Sequence, residues 1–232
     1  MRGLCAPADR GVCGHPVFDV GCALASLREG IISVSVEAAL RDKLISLARD
    51  ALAAAVSGRP LPAPEPGDAP PLPCGGMFVT LRNRGRLRGC IGTFQPPANL
   101  EETVVETAAA AVRDPRFVLA PITREELDHL DLEISLLSPP VRTHDPLSLR
   151  PGIDGVLIHR GEASGCFLPQ VATEQGWNAE QTLSHCCAGK ANLPPEAWRD
   201  PQTEVYFFTA EIIEDRRATP RRKAPGQTAT RS

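Results

Sequence analysis

The hydrophobic residues of this chain recur with two different periods, which together predict both helices and strands. Between residues 36 and 55 an apolar residue recurs every three or four positions, the spacing of one buried helix face. Two further helices are predicted where an asparagine precedes an apolar series and Glu or Gln follows three positions later, the pattern of a capping box. Thr and Glu repeat that pattern for a shorter helix. The pairs are Asn99 with Glu102, Asn178 with Gln181, and Thr123 with Glu126.

Strands are predicted where β-branched and aromatic residues are bounded by turn residues. Two pairs of strands flank short turns containing glycine, and each pair is expected to form a hairpin. Because the strands come in hairpins with helices grouped between them, the chain is predicted to be α+β, a mainly antiparallel sheet with flanking helices. The predicted strands are residues 77–82, 87–92, 131–138, 155–159, 166–170 and 204–213.

Composition predicts one folded domain with two different ends. Residues 1–32 show no sustained period and are expected to be a poorly ordered extension, and residues 33–215 are expected to form the domain. Residues 216–232 carry six basic residues and no acidic one, which is typical of a disordered tail. The rest of the chain keeps 19 of the 25 basic residues against 28 acidic ones, a net charge of -9. An acidic body of this kind argues against a nucleic-acid partner.

The chain is expected to work in the cytoplasm, without a membrane partner. No apolar run approaches the roughly 18 residues that span a bilayer, and the first residues lack the apolar core of a secretory signal. Eight cysteines are therefore expected to be reduced. Cys186 and Cys187 are adjacent, which is unfavourable geometry for a mutual disulfide.

The stretch LRGCIG at residues 87–92 is the strongest candidate for chemistry. In an extended strand, alternate side chains share a face, so Arg88 and Cys90 are expected to point the same way. A guanidinium beside a thiol favours the reactive thiolate, and Gly89 and Gly92 leave room for a ligand to approach the backbone. Cys90 is thus a candidate nucleophile, redox thiol or soft metal ligand. The alternative is that Cys90 is a small buried hydrophobic residue.

Two further segments offer groups that could act with Cys90. Glu133 alternates with Leu132 and Ile134 in a predicted strand, and it would be a general base or a charge partner if its face met Cys90. The Asp114-Pro115 turn could hold Arg116 so that it grips a carboxylate or phosphate. The alternative for Glu133 is a glutamate that only faces solvent. The alternative for Arg116 is a structural ion pair with Asp114.

The predicted site consists of catalytic residues and ligand-binding residues, and no metal or cofactor is predicted. The chain contains no HExxH, no paired CxxC, no Walker phosphate loop and no GxGxxG after a strand, which makes zinc hydrolase, P-loop and Rossmann activities poor candidates. The predicted catalytic residues are Cys90 and Glu133, and the predicted ligand-binding residues are Arg88, Gly89, Gly92, Thr93, Asp114 and Arg116.

Six stretches of the chain together span most of residues 36–213. They are FVTL at 78–81, LRGCIGTF at 87–94, AAVRDPRF at 110–117, LEISLLSPP at 132–140, GIDGVLI at 152–158 and FLPQVATEQGW at 167–177. In this order they resemble the AMMECR-one domain family, and in particular its bacterial members called protein A of the AmmeMemoRadiSam system. The resemblance implies an α+β fold of two subdomains around a cleft near LRGCIG. It also implies two partners, a Memo-like protein and a radical S-adenosylmethionine protein, but it transfers no catalytic role.

Three functions stay open at this point, and whether the protein is an enzyme stays open with them. It could be an accessory component of an AmmeMemoRadiSam-type system that binds both partners. It could be an enzyme that uses Cys90 in a cleft with Arg88 and Glu133. It could be a carrier that holds a metal with some of its eight cysteines.

Overall fold

A computed structural model describes residues 35–64 and 73–217. The predicted extension at residues 1–32 and all but the first two residues of the predicted basic tail at 216–232 lie outside the described residues. Within the described part, no helix is both long and apolar enough to cross a membrane.

The described residues form two antiparallel four-stranded sheets with four α-helices, which confirms the predicted α+β class. Sheet A has the strand order β2-β1-β3-β8, and sheet B has the order β4-β7-β5-β6. The helices are α1 (Ala38–Ser57), α2 (Leu100–Val112), α3 (Pro169–Gln175) and α4 (Ala179–Gly189). The strands are β1 (Gly76–Asn83), β2 (Arg86–Thr93), β3 (Leu130–Leu137), β4 (Val141–Arg142), β5 (Gly155–Arg160), β6 (Ala163–Phe167), β7 (Glu204–Phe208) and β8 (Ala210–Asp215).

Helices α1 and α2 cover one face of sheet A and leave its other face for a site. Val79 and Leu81 of β1 are fully buried in one cluster with Leu44 of α1 and Val104 of α2. Burying an aliphatic side chain of this size contributes about 1.5–3 kcal/mol, so this cluster anchors the sheet to its helices. Because side chains alternate along a strand, the residue between Val79 and Leu81, Thr80, points to the opposite face.

The chain crosses from one sheet to the other twice, at Ser138 and at Thr209, and these two residues are hydrogen-bonded to each other. The predicted single strand 204–213 is in fact two strands, since β7 belongs to sheet B and β8 to sheet A, with Thr209 between them. The Thr209 N–H donates to Ser138 Oγ at 2.9 Å, and the Ser138 N–H donates to the Thr209 carbonyl at 2.9 Å. Ser138 itself separates β3 of sheet A from β4 of sheet B. One expected sheet therefore becomes two.

The second predicted hairpin forms, but its second strand, β6 (Ala163–Phe167), begins and ends three residues earlier than predicted. Strand β6 ends at Phe167, and the predicted strand residues from Pro169 onward begin α3 instead. Proline suits this position because the first helical residue needs no backbone donor. Helix α3 ends at Gly176, whose φ of 68° is left-handed.

Two of the three predicted helix caps form, those of α2 and α4. Asn178 and Gln181 form the predicted capping box of α4. Asn99 caps α2 by accepting the backbone N–H groups of Glu101 and Glu102 at 3.0 and 3.2 Å. The short helix predicted after Thr123 is only a 3₁₀ turn at Leu127–His129, and no side chain caps it.

Candidate functional site

Cys90 and Glu133, the two predicted catalytic residues, point to the same face of sheet A. The register pairs Cys90 of β2 with Thr80 of β1, and Thr80 with Glu133 of β3. Residues directly opposite each other in antiparallel strands share a face, so the three side chains form one row. Two strand spacings, about 10 Å in total, separate the backbones of Cys90 and Glu133. The two residues therefore share the face with Thr80 between them.

Three neighbours fix the backbone and the thiol of Cys90. Its N–H donates to Asp114 Oδ2 at 2.9 Å, and its carbonyl accepts an N–H from Arg116 at 3.0 Å. The Thr80 hydroxyl donates to its Sγ at 3.4 Å. The side chain is half-buried and the thiol is free. Cys90 is thus positioned rigidly while part of it stays accessible.

Asp114 is the residue that orients Arg116. It is 2% exposed and accepts the backbone N–H of Arg116 at 3.0 Å, at the start of the 3₁₀ turn Pro115–Phe117. Its carboxylate also holds the guanidinium through Nε at 3.0 Å and Nη2 at 2.5 Å. The hydrogen bond from the Arg116 side chain is the largest of several interactions that hold the pKa of Asp114 at about 2, against a burial that opposes them. Asp114 is therefore ionised throughout the physiological range.

Arg116 presents a fixed positive charge beside Cys90. Its side chain is 52% exposed although one side of its guanidinium is held by Asp114. Hydrogen bonding to Asp114 raises the pKa of Arg116, and interactions with Cys90 add to this. A planar guanidinium fixed in this way can bind a carboxylate or phosphate through its free edge. The geometry would therefore suit the binding of an anion next to a thiol.

Arg88 does not lie beside Cys90 as the strand alternation predicts. The pairing between β1 and β2 slips at this point, since Leu81 pairs with Gly89 while Arg82 pairs with Leu87. Arg88 is consequently the extra residue of a β-bulge, which breaks the two-residue alternation. Its guanidinium pairs with Glu126 at 2.5 Å, and both side chains are about 15% exposed. The arginine next to Cys90 is Arg116 instead.

The glycines of LRGCIG are approached by the protein itself. A side chain on Gly89 would place its Cβ 2.1 Å from the carbonyl oxygen of Ala111 in α2. A side chain on Gly92 would meet the ring of Phe78 at 2.3 Å. Thr93, at the end of β2, accepts the backbone N–H of Gln95 at 3.1 Å through its hydroxyl. Gly89, Gly92 and Thr93 are therefore each explained by packing or hydrogen bonding within the protein, without a ligand.

Glu133 lies in an open groove of about 690 Å³ on the outer face of sheet A. Gln170 Nε2 donates to its carboxylate at 2.9 Å and the Ser135 hydroxyl donates at 3.2 Å. Burial is the main cause that raises the pKa of Glu133. Neither Cys90 nor Arg116 is among the residues that line this groove. The lining consists of Thr80, Arg82, Gly85, Asp131, Leu132, Glu133, Gln170, Glu174, Ile212, Glu214 and Arg216.

Helix α4 carries a histidine and two cysteines next to one another, His185, Cys186 and Cys187. Cys186 and Cys187 are fully buried. His185 is exposed, and its ring stacks on that of Trp177 with ring centroids 4.1 Å apart. Among residues 35–64 and 73–217, no three His, Cys, Asp or Glu side chains are grouped closely enough to hold a metal ion.

Two contacts of the site were not predicted, because each joins residues far apart in sequence. Thr80 lies 10 residues before Cys90, and Gln170 lies 37 residues after Glu133. The alternation in β1 places Thr80 opposite the core, but only the strand register brings it next to Cys90. The sequence predicts Gln170 on a strand, whereas it lies on α3 and donates to Glu133.

The family model named AMMECR1 matches residues 45–213. This confirms the resemblance drawn from the motifs around LRGCIG.

Relatives from archaea cover most of the matched region. A protein of Thermococcus gammatolerans is 46% identical over 187 residues, which cover 74% of this chain and 88% of that protein. A protein of Methanothermobacter thermautotrophicus is 46% identical over 147 residues, which cover 60% of this chain and 75% of that protein. The crystal structure of the uncharacterised protein PH0010 from Pyrococcus horikoshii is similar with a TM-score of 0.69 at 36% identity. That match covers 80% of this chain and 96% of that one.

Proposed function

This chain belongs to the AMMECR1 family, and we propose that it binds the anionic group of a small substrate at Arg116 and reacts with that substrate through the thiol of Cys90. The observation that carries the proposal is the position of Arg116, whose guanidinium is held by buried Asp114 and bonded to the Cys90 carbonyl at 3.0 Å. Catalytic thiols need a neighbouring positive charge and partial exposure, and Cys90 has both.

The two edges of the Arg116 guanidinium have different surroundings, and this suits the binding of an anion. One edge of the guanidinium is used by Asp114, and the side chain is nevertheless 52% exposed, so the other edge faces solvent. A bound carboxylate or phosphate would sit beside the thiol, and proximity of this kind lowers the entropic cost of the reaction. Thr80, whose hydroxyl contacts Sγ, keeps the sulfur oriented.

Glu133 supports the same proposal as a more distant general acid. Burial raises the pKa of its carboxyl, which increases its protonated fraction near neutral pH. It lies on the same face as Cys90 but in the adjoining groove. A substrate that reaches from Arg116 across Thr80 would bring its far end to Glu133.

The test is protection of Cys90 from a neutral alkylating reagent. We expect inorganic phosphate or succinate to slow the reaction of iodoacetamide with Cys90, while sodium chloride at equal ionic strength does not. The Arg116→Gln variant should lose this protection. Arg113→Gln is the matched control because it removes the same charge from an exposed residue at the end of α2.

If phosphate and succinate protect Cys90 no better than sodium chloride, Arg116 does not bind anions next to the thiol and the proposal is wrong. The same conclusion follows if Arg116→Gln keeps full protection.

A second candidate function is an accessory role in an AmmeMemoRadiSam-type system in the cytoplasm, with a Memo-like protein and a radical S-adenosylmethionine protein as partners. The observation that favours it is a pair of exposed apolar residues two and three positions after Arg116: Val118 is 73% exposed and Leu119 is 97% exposed. Exposed apolar side chains beside a functional site suit a partner contact. The five free cysteines of the described residues suit a reducing compartment.

Co-purification from native cells tests the accessory role. We expect both partners to be enriched with the wild-type chain and lost with Leu119→Asp. Leu147→Asp changes another exposed leucine, 52% exposed and away from Arg116 in sequence, and should keep them. Absence of both partners from the wild-type preparation would rule this role out.

A further inference from the structure

The groove on the outer face of sheet A is acidic. Four carboxylates line it against two guanidinium groups: Asp131, Glu133, Glu174 and Glu214 against Arg82 and Arg216. The carboxylates come from β3, α3 and β8, so no single element accounts for the charge. A concave surface in which one sign of charge dominates attracts a ligand of the opposite sign. The groove is therefore suited to a basic ligand.

The two arginines neutralise only part of this charge. Arg216 forms a bidentate pair with Glu214, at 2.8 Å from Nε and 2.5 Å from Nη2. Arg82 lies 3.9 Å from Glu174, too far for a hydrogen bond, and the Glu174 side chain is 53% exposed. Glu133 accepts its hydrogen bonds from uncharged side chains. Within residues 35–64 and 73–217, Glu133 and Glu174 thus have no hydrogen-bonded cation.

The described part of the chain ends at this groove. Arg216 lines the groove itself. The backbone N–H of Arg217, the last described residue, donates to Asp131 Oδ1 at 2.8 Å, and Asp131 belongs to the same lining. The residues after Arg217 therefore start in contact with the groove.

These following residues carry the charge that the groove lacks. Residues 218–232 lie outside the described residues, but their sequence contains four basic residues and no acidic one. Three of the four are consecutive, at positions 221–223, and the fourth is Arg231. The charges of the segment and of the groove are complementary.

The segment is long enough to reach the carboxylates that lack a cation. Glu133 pairs with Glu214 in the register of β3 and β8. Three residues of strand and one strand spacing, roughly 11 Å in all, therefore separate the backbones of Glu133 and Arg217. The six residues from Arg217 to Lys223 span up to about 20 Å when extended.

We infer that residues 218–232 dock in the acidic groove of their own molecule, with the basic residues 221–223 against Glu133 and Glu174. Arg216 and Arg217 fix the point of entry, so the segment binds at the high effective concentration of a tethered ligand. The docked segment lies beyond residue 213, where the match to the family model ends. The contact goes beyond the proposed function, since it needs neither Cys90 nor Arg116. A substrate that extends into the groove must compete with the segment.

Zero-length cross-linking of the full chain with a water-soluble carbodiimide tests the inference. The reagent joins an amine to a carboxylate only where the two groups are in contact. Lys223 is one of three lysines in the chain, so its links are easily assigned. We expect an amide between Lys223 and Glu133 or Glu174, located by mass spectrometry of the digested protein.

An ion pair within the fold supplies the reference for this reaction. Lys43 Nζ lies 2.7 Å from Glu101 Oε1, and the reagent is increased until this pair is linked. An equal mixture of isotope-labelled and unlabelled chains shows whether a link at Lys223 joins one molecule or two. We expect it to join two peptides of the same molecule.

Variants show whether charge causes the docking. Arg221→Gln combined with Arg222→Gln removes two exposed charge pairs and should lower the yield of the Lys223 link roughly five-fold. Arg113→Gln combined with Arg124→Gln removes the same net charge from exposed positions on the body and should leave the yield unchanged. The link between Lys43 and Glu101 should form equally in all of these proteins.

Three results would overturn the inference: no link from Lys223 to a groove carboxylate once Lys43 and Glu101 are linked, a link from Lys223 only to another molecule, or an equal yield in both double variants. A link between molecules would assign the groove to the segment of a second copy instead. Anion protection of Cys90 is a separate measurement, so the inference and the proposed function can fail independently.

Discussion

The carboxylate of Asp114 accepts the backbone N–H of Cys90 at 2.9 Å, across 24 positions of the chain. This bond ties the end of α2 to strand β2. The same carboxylate holds the guanidinium of Arg116, so one buried side chain sets both the position of the thiol and the direction of the charge next to it. A hydrogen bond to an ionised group in this position is worth about 1.5–3 kcal/mol.

Asp114→Asn should therefore destabilise the fold at pH 7 by about 1–2 kcal/mol. The loss is smaller than for a fully buried pair because Arg116 is half exposed and solvent screens it. Urea unfolding of both proteins measures the difference. Asp128→Asn, at an exposed position, is the control and should change stability little.

The effect of Asp114→Asn should depend on pH in a defined direction. The folded pKa of about 2 lies below the ordinary value of 3.8, so the stabilisation is complete above about pH 4 and is lost as the pH falls toward 2. The two unfolding curves should approach each other over this window. A difference that stays constant down to pH 2 would show that the charge of Asp114 is not its source.

Gly89→Ala tests the close approach of α2 to β2. The new Cβ would lie 2.1 Å from the Ala111 carbonyl oxygen, so the helix or the strand must move. Overpacking against backbone should cost about 3 kcal/mol. Gly189→Ala at the end of α4 has no atom within 4 Å of its new Cβ and should be neutral or slightly stabilising. Equal melting temperatures for the two variants would contradict this packing.

Glu133→Gln should stabilise the protein at pH 8, because burial makes ionisation of Glu133 unfavourable. The sign follows from the raised pKa: the folded state binds the proton more tightly, so wild-type stability falls as the pH rises above the ordinary value of 4.5. The advantage of the variant should vanish near pH 4. Glu106→Gln, exposed on α2, is the control, and a Glu133→Gln protein less stable than wild type at pH 8 would refute the argument.

Sequence patterns predicted the elements whose causes are local. The capping box of Asn178 and Gln181 and the cap at Asn99 depend on residues within three positions, and the first hairpin depends on one short turn. The division of residues 204–213 between two sheets could not be predicted in this way. At the point of division Thr209 is hydrogen-bonded to Ser138, and these residues are 71 positions apart.

The candidate site shows the same limit. Alternation along a strand placed Arg88 beside Cys90, but the bulge at Leu81 and Arg82 turns Arg88 toward Glu126. A bulge depends on how two strands pair, which the residues of one strand do not reveal.

The central claim, an anion site at Arg116 beside the Cys90 thiol, is tested most directly by the charge selectivity of Cys90 alkylation. The measurement is the rate with anionic iodoacetate divided by the rate with neutral iodoacetamide, each relative to glutathione under the same conditions. One charge pair at a few ångströms in water is worth about 1 kcal/mol, so the ratio should be about five-fold higher in the wild type and Arg113→Gln than in Arg116→Gln. The same ratio in all three proteins would contradict the account.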